Sequence, residues 1–145
     1  MELETIHHHG HDPSLFSPYV PAIKVTGGSL VFISGVTAAP VYHEHPHVPE
    51  VFDAIPPDIE GQAPLVFDHL DEALRAAGCE RRHVVQLMRF FTDVGGDQDV
   101  VNRIQSEWLG GHVPTSTTVE VERLATDPRL RLEIQAIAVA PAEGG

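Results

Sequence analysis

The C-terminal segment LRLEIQAIAVA, residues 130–140, limits most strongly what this chain can fold into. Every second residue from Leu130 to Ala138 is apolar, which is the period of a β-strand that buries one of its two faces. The segment TTVEVERL, residues 117–124, alternates in the same way. Such strands need partner strands and a layer that covers their apolar face, so the rest of the chain must supply both.

Three earlier segments also predict strands. PAIKVTGG, residues 21–28, ends in Gly27 and Gly28, which supply the positive φ of a tight hairpin. LVFISGV, residues 30–36, is a short apolar run typical of a buried strand. HVVQLMRFFTDV, residues 83–94, has the β-branched and aromatic content of a strand.

Two segments have the apolar spacing of helices. Residues 63–77 form the first, and Gly78 is its expected end. Pro64 suits only a first turn, so this helix is predicted to begin close to Gln62. In the second helix Asp97 is the predicted cap, and Gly110 and Gly111 end it. Its predicted buried stripe is Val100, Val101, Ile104 and Trp108.

The remaining segments are polar or rich in proline. Residues 1–16 are predicted to be an irregular N-terminal arm, and residues 40–57 an extended His/Pro-rich loop that could include an edge strand. The whole chain, residues 1–145, is predicted to form a single domain. Helices among mostly antiparallel strands indicate an α+β sheet with its helices on one face. Since the other face also carries apolar residues, oligomerisation is expected.

Composition restricts the function classes. The net charge is −12, and the 9 Lys and Arg residues are scattered, so a nucleic-acid surface is not expected. There is no apolar run long enough to span a membrane, and the N-terminus has no basic region followed by an apolar stretch. The single cysteine, Cys79, fits a reducing compartment, so a cytoplasmic location is expected.

Five strings resemble, in the same order and at the same spacing, the RidA (YjgF) family. They are SPYVPAIKV, LVFISGV, DIEGQAPLVFDHLDEALRAAGC, VVQLMRFFTDVGGDQDVVNRIQSEWLG and VPTSTTVEVERLATDPRLRLEIQAIA, and together they extend from about residue 17 to residue 138. The resemblance implies a chorismate-mutase-like subunit in a homotrimer, with small-molecule clefts between subunits. It also implies hydrolysis of enamines and imines, such as 2-aminoacrylate, to a carbonyl product and ammonia, with no metal or organic cofactor.

The resemblance also implies a set of site residues. Glu133 matches the acidic residue that positions the attacking water, although a solvated polar face would explain it equally. Substrate-binding positions of the family fall on Tyr19, Ser34, Gly35, Asn102 and Thr118. At Thr118 the main-chain N–H is the expected carboxylate donor. Without the resemblance, Tyr19 would be read as packing, Gly35 as a bend and Asn102 as helix surface.

Ser116 is the main departure from the family pattern. It occupies the position of an Arg that holds the substrate carboxylate in deaminating relatives. A serine offers one neutral hydrogen bond, which contributes less than a bond to a charged partner. Low activity toward small imino acids is therefore expected, with a different substrate such as an aminomuconate-like compound. A non-catalytic small-molecule binder, or a tautomerase or cyclase that uses the same cleft, are the alternatives.

Arg89 lies on the same predicted strand face as Val85, Leu87 and Phe91. A charge on an apolar face needs a partner. A structural ion pair, with Glu133 or another acid, is the favoured interpretation. The alternative is that Arg89 binds substrate and replaces the missing Arg as the anion anchor.

His43, His45 and His47 alternate along the chain and would project together from a strand, as metal ligands can. Pro46 favours a surface loop instead, or a lid over the cleft, so no metal site is predicted. The HHHGH run, residues 7–11, is assigned no role in the mechanism.

Overall fold

A computed structural model describes residues 1–142. The strands are β1 (Glu2–Ile6), β2 (Ala22–Thr26), β3 (Ser29–Val36), β4 (Val84–Phe91), β5 (Thr115–Glu120) and β6 (Leu132–Ala140), and the helices are α1 (Ile59–Ala76) and α2 (Val94–Leu109). Short 3-10 turns cover Pro49–Phe52 and Arg81–His83. Within these residues no helix has the length and apolar content that a bilayer crossing requires. The predicted single domain extends into residues 143–145, which lie outside the described residues.

The main sheet has the strand order β3-β6-β4-β5. Strand β6 is antiparallel to β3 and β4, whereas β5 is parallel to β4. The predicted alternation in β6 is confirmed, because Leu132, Ile134, Ala136 and Ala138 are all buried in the core that both helices cover. The predicted α+β class, with a mixed and mostly antiparallel sheet, is therefore confirmed.

Helix α1 begins earlier than the sequence predicts. The Asp58 carboxylate caps it by accepting a hydrogen bond of 2.9 Å from the Gly61 N–H. Pro64 therefore lies inside the helix, not in its first turn. Its ring is exposed, and so is Glu60, whose carbonyl loses its helical donor at this proline and can bond to water instead.

Helix α2 is capped by Asp93 and not by Asp97. The Asp93 carboxylate accepts from the Gly96 N–H at 3.1 Å. Asp97 is buried and receives two hydrogen bonds from Arg131, at 2.9 and 2.8 Å, which fasten the helix to the start of β6. The predicted helix end is confirmed, since Gly110 adopts the left-handed conformation.

The N-terminal arm is not irregular throughout, as the sequence predicted. Strand β1 pairs with β2, and the half-buried Leu3 and Val25 face each other across the pair. Gly27 and Gly28 have the predicted positive φ of 75°. They do not close a hairpin between β2 and β3, however, because β3 pairs with β6.

The loop of residues 40–57 contains no edge strand, contrary to one expectation. Its 3-10 turn instead buries Phe52 in a second small core with Ala38, Ala39, Leu124 and Leu130. Strand β3 is also not the fully buried strand that its apolar sequence predicts. Leu30 is 62% exposed and Phe32 71% exposed, because β3 is an edge strand and the helices cover only one face of the sheet.

Candidate functional site

The residues that the sequence singles out fall into two separate pockets of the chain. The Arg89 pocket has a volume of about 370 Å³ and is lined by Pro18, Tyr19, Arg89, Gln98, Asn102, Gln105, Ser116, Thr117 and Thr118. The Glu133 pocket has a volume of about 280 Å³, and its lining includes Gly35 and the polar residues Ser34, Thr37, His43, Thr126 and Glu133. Every predicted site residue thus lines a pocket, but no single pocket contains all of them.

Strand register explains this separation. Arg89 pairs with Ile134 of β6, and Phe90 pairs with Glu133. Neighbouring residues of a strand point to opposite faces, so Arg89 lies on the helix-covered face and Glu133 on the other. The predicted ion pair between Arg89 and Glu133 is therefore wrong within one chain.

The Glu133 carboxylate lies directly against Gly35. A Cβ added to Gly35 would approach the carboxylate carbon and Oε2 of Glu133 to 2.8 Å. Gly35 has no positive φ, so a glycine is required here for the close approach and not for backbone conformation. This arrangement brings β3 and β6 together around one acidic side chain.

Burial raises the pKa of Glu133 above its usual range, and among residues 1–142 no neighbouring charge or hydrogen bond contributes to the shift. The carboxylate is half-buried at the pocket wall. A carboxylate with a raised pKa and an open approach can take a proton from water and return it to a nitrogen, which is acid–base chemistry.

Arg89 is a buried cation whose partners are all neutral. Its Nε donates to the Thr118 hydroxyl at 2.9 Å, and its Nη1 donates to Asn102 Oδ1 at 2.8 Å and Gln105 Oε1 at 3.2 Å. The guanidinium also packs over the Phe91 ring at 5.3 Å. Burial lowers the pKa of Arg89 to about 10, so the group is still charged at neutral pH. The favoured prediction, a structural ion pair with an acid, is wrong for the described chain.

One nitrogen of Arg89 remains available to a ligand. Among residues 1–142, Nε and Nη1 make the hydrogen bonds of this guanidinium, and its Nη2 makes none. Ser116 lies on the same face, because Ser116 pairs with Leu87 as Thr118 pairs with Arg89. The hydroxyl of Ser116 and the free end of the guanidinium therefore face one pocket, as an anion site requires.

Asn102, Thr118 and Tyr19 support Arg89 or line its pocket. Asn102 is not a surface residue without contacts, since it accepts from Arg89. The Thr118 side chain also takes part, although the sequence assigned the role to its main chain. Tyr19 is half-exposed at the pocket, and the adjacent Val20 N–H donates to the Pro114 carbonyl at 3.1 Å, which holds this segment beside β5.

Sequence reasoning missed Gln98, Gln105 and His43 as lining residues. The two glutamines were detectable, because Gln98, Asn102 and Gln105 follow the i, i+4, i+7 spacing of one helix face. For the segment that contains His43 the sequence favours a surface loop or a lid over the cleft, but it does not predict that His43 itself lines the pocket at the end of β3.

The three histidines of the loop lie together even though the segment is not a strand. One ligand atom from each of His43, His45 and His47 lies within 4.8 Å of the others. Their ring centroids are 4.7 to 5.0 Å apart. This cluster is the group among the described residues that could hold a metal ion.

Comparison with known proteins gives a consistent result. The family model described as Endoribonuclease L-PSP matches residues 9–140. The chain is 33% identical to Protein DfrA of Myxococcus xanthus, covering 92% of this chain and 93% of the relative. It is 30% identical to the 2-iminobutanoate/2-iminopropanoate deaminase of Mus musculus, covering 88% and 84%.

Solved structures agree on the fold. A Yersinia pestis protein of the conserved Rid family, YyfB, superposes with a TM-score of 0.77 at 24% identity, covering 96% of this chain and 99% of the other. A second Yersinia pestis Rid protein, YyfA, gives a TM-score of 0.64 at 27% identity, covering 96% and 100%.

Proposed function

The chain belongs to the RidA (YjgF) family, and from this premise we propose that it hydrolyses a reactive enamine or imine to ammonia and a carbonyl product. Relatives that carry deaminase names support this reaction class. The family description also names an endoribonuclease, but the net charge of −12 disfavours RNA as the substrate.

The observation that carries the proposal is the half-buried, unpaired Glu133 against Gly35. Hydrolysis of a C=N bond adds water to carbon, moves a proton to nitrogen and releases ammonia as the C=O bond forms. Glu133 would take the proton from the attacking water and deliver a proton to the leaving nitrogen. Its raised pKa suits both halves of that exchange, because a strongly acidic carboxyl would be a poor base.

The substrate we propose is anionic and differs from 2-aminoacrylate. Arg89 has one free guanidinium end in the pocket that also holds Ser116, the position of the family Arg. Arg89 would therefore bind the substrate carboxylate in place of that Arg. Because Arg89 projects from β4 and not from the position of Ser116, the anion would lie at a different place. A longer, conjugated compound such as an aminomuconate fits this change.

The two pockets would form one site between copies of the chain. Arg89 and Glu133 lie on opposite faces of one sheet, so a substrate that touches both needs a second subunit. The exposed apolar side chains of β3, Leu30 and Phe32, lie on the face that the helices leave open. A homotrimer, as the family resemblance implies, would cover them and complete the cleft.

The test is ammonia release from a panel of imino acids and aminomuconates, comparing the unsubstituted chain with Glu133→Gln. We expect release from a larger substrate and a slow rate with 2-aminoacrylate. Loss of acid–base catalysis in Glu133→Gln should lower the rate by about 10²- to 10⁴-fold. The same preparation is examined by sedimentation, where a trimer is expected.

Three results would reject parts of the proposal. No ammonia from any substrate, with ligand binding retained, would favour the non-catalytic binder. Isomerised or cyclised product without ammonia would favour a tautomerase or cyclase with Glu133 as the base. A fully active Glu133→Gln would remove Glu133 from the chemistry, and an active monomer would exclude a site shared between subunits.

A further inference from the structure

The loop after β3 carries a histidine cluster that the proposed deamination does not use. Ligand atoms of His43, His45 and His47 all lie within 4.8 Å of one another. Imidazole nitrogens that bind one Zn²⁺ at about 2.0 Å, in tetrahedral geometry, stand roughly 3.4 Å apart. Small rotations of the rings would therefore bring the three nitrogens to one ion, and the exposed His45 is the freest to move.

The surrounding contacts orient the cluster. The Nδ1 of His43 lies 2.8 Å from the Pro40 carbonyl oxygen, which leaves Nε2 as the free nitrogen. Metal-binding histidines have this arrangement, with one ring nitrogen bonded to a carbonyl and the other on the ion. The Phe52 ring packs edge-on against His43 at 5.2 Å and against His47 at 5.7 Å, so the buried second core supports both rings.

His47 provides an independent sign that a ligand is needed. Its Nε2 is buried and has no hydrogen-bond partner in the described chain. A buried polar atom without a partner costs free energy, so native proteins rarely leave one unsatisfied. A metal ion held jointly with His43 and His45 would satisfy it.

We propose that His43, His45 and His47 bind one divalent transition-metal ion of the Zn²⁺ class at the wall of the Glu133 pocket. Three neutral imidazoles suit Zn²⁺, Co²⁺, Ni²⁺ and Cu²⁺ and not the oxygen-seeking Mg²⁺ or Ca²⁺. A three-histidine set leaves a coordination position open. Since His43 also lines the Glu133 pocket, that position would be available to an oxygen or nitrogen atom of the pocket's ligand.

The test must first remove a competing set of histidines. The N-terminal arm contains His7, His8, His9 and His11, which can themselves bind such ions. The parent protein is therefore the full chain with all four changed to Gln. We expect calorimetric titration with ZnCl₂ to give one ion per chain, and Co²⁺ to give visible absorption bands of a low-symmetry site.

Substitutions in the parent then locate the site. His45→Gln, an exposed position, should weaken Zn²⁺ binding by at least about tenfold, since even outer-shell changes cost that much. Glu44→Gln, exposed in the same loop, is the matched control and should change affinity by less than about twofold. His47→Gln repeats the test at a buried ligand, with circular dichroism to confirm folding.

Two outcomes would overturn the proposal: a parent that binds no stoichiometric Zn²⁺, or a His45→Gln protein that binds it as tightly as the parent. Binding is measured without substrate, so this result is separate from the deaminase assay.

Discussion

The Arg89 pocket and the Glu133 pocket contain opposite charges, and the two charges differ in how they are hydrogen-bonded. Arg89 is 5% exposed and makes three hydrogen bonds, all of them to neutral oxygens. Glu133 is half-buried, and burial alone raises the pKa of its carboxyl. Within residues 1–142 the cation is thus fixed in place but has no anionic partner, whereas the anion has neither a hydrogen-bond donor nor a cationic partner.

This difference suits Arg89 to positioning a substrate and Glu133 to acid–base chemistry. A charge held rigidly by neutral groups can bind an ion of opposite sign with little rearrangement, which suits an anchor. A carboxylate without partners keeps its proton affinity, which suits an acid–base group. Because sheet register places the two charges on opposite faces of one chain, neither complements the other.

Among the substitutions that leave Glu133 itself in place, adding a side chain at Gly35 should have the largest effect. In Gly35→Ala, the new Cβ would lie 2.8 Å from the Glu133 carboxylate, so the side chain must move. Misplacement of a catalytic group by about 1 Å can cost around 100-fold, and we expect a loss of this size in kcat/KM. Steady-state ammonia release measures it.

The matched control is Gly95→Ala in α2, where an added Cβ meets its nearest neighbour, Asp93 Oδ1, only at 3.9 Å. Activity there should be unchanged, because alanine in a helix is tolerated and the position is exposed. Equal activity of Gly35→Ala and Gly95→Ala would mean that the approach of Glu133 to Gly35 has no part in the chemistry.

Replacing the anchor should have a smaller effect, mainly on binding. Arg89→Met keeps much of the side-chain volume and removes the charge. Loss of one hydrogen bond to a charged partner costs about 1.5 kcal/mol at least, so KM for an anionic substrate should rise by about tenfold or more. The kcat should change less, and an uncharged substrate analogue should show no difference.

The pH dependence of substrate binding by the unsubstituted chain is a second test of Arg89. The pKa of Arg89 is lowered by burial from 12.5 to about 10, so substrate affinity should fall as the pH rises through about 10. Between these values the unfolded chain binds more protons than the folded one, so this group makes the fold relatively more stable as pH rises. At neutral pH the desolvation of this charge costs stability, whereas its hydrogen bonds to Thr118, Asn102 and Gln105 offset part of that cost.

Much of the fold was predictable because it depends on local patterns. The alternation in residues 130–140 correctly identified the buried face of β6, and Gly110 correctly ended α2. The errors lie where distant residues decide the outcome. Asp97 is a residue type that often caps helices, but here it is buried in an ion pair with Arg131. Strand β1 forms only because β2 is available to pair with it.

The site was predictable as a set of residues but not as an arrangement. The resemblance identified Glu133, Gly35, Asn102 and Thr118, and all line pockets. No sequence pattern shows that β4 and β6 are neighbours with Phe90 opposite Glu133. This register places Glu133 and Arg89 on opposite faces of the sheet. The neutral partners of Arg89 come from α2 and β5, contacts that only the tertiary structure defines.

The smallest expected effect comes from placing at position 116 of β5 the Arg that the family resemblance implies there. In Ser116→Arg the new guanidinium would enter the Arg89 pocket beside an existing cation, so the two would repel. In this partly open site the repulsion is screened, and we expect a loss of about two- to fivefold in kcat/KM for the anionic substrate. In the Arg89→Met background the same change should raise the rate with 2-aminoacrylate, because a single cation then stands at the position where the family resemblance implies one. If Ser116→Arg raises that rate equally with Arg89 present, the two positions act independently, and Arg89 is not the substitute anchor.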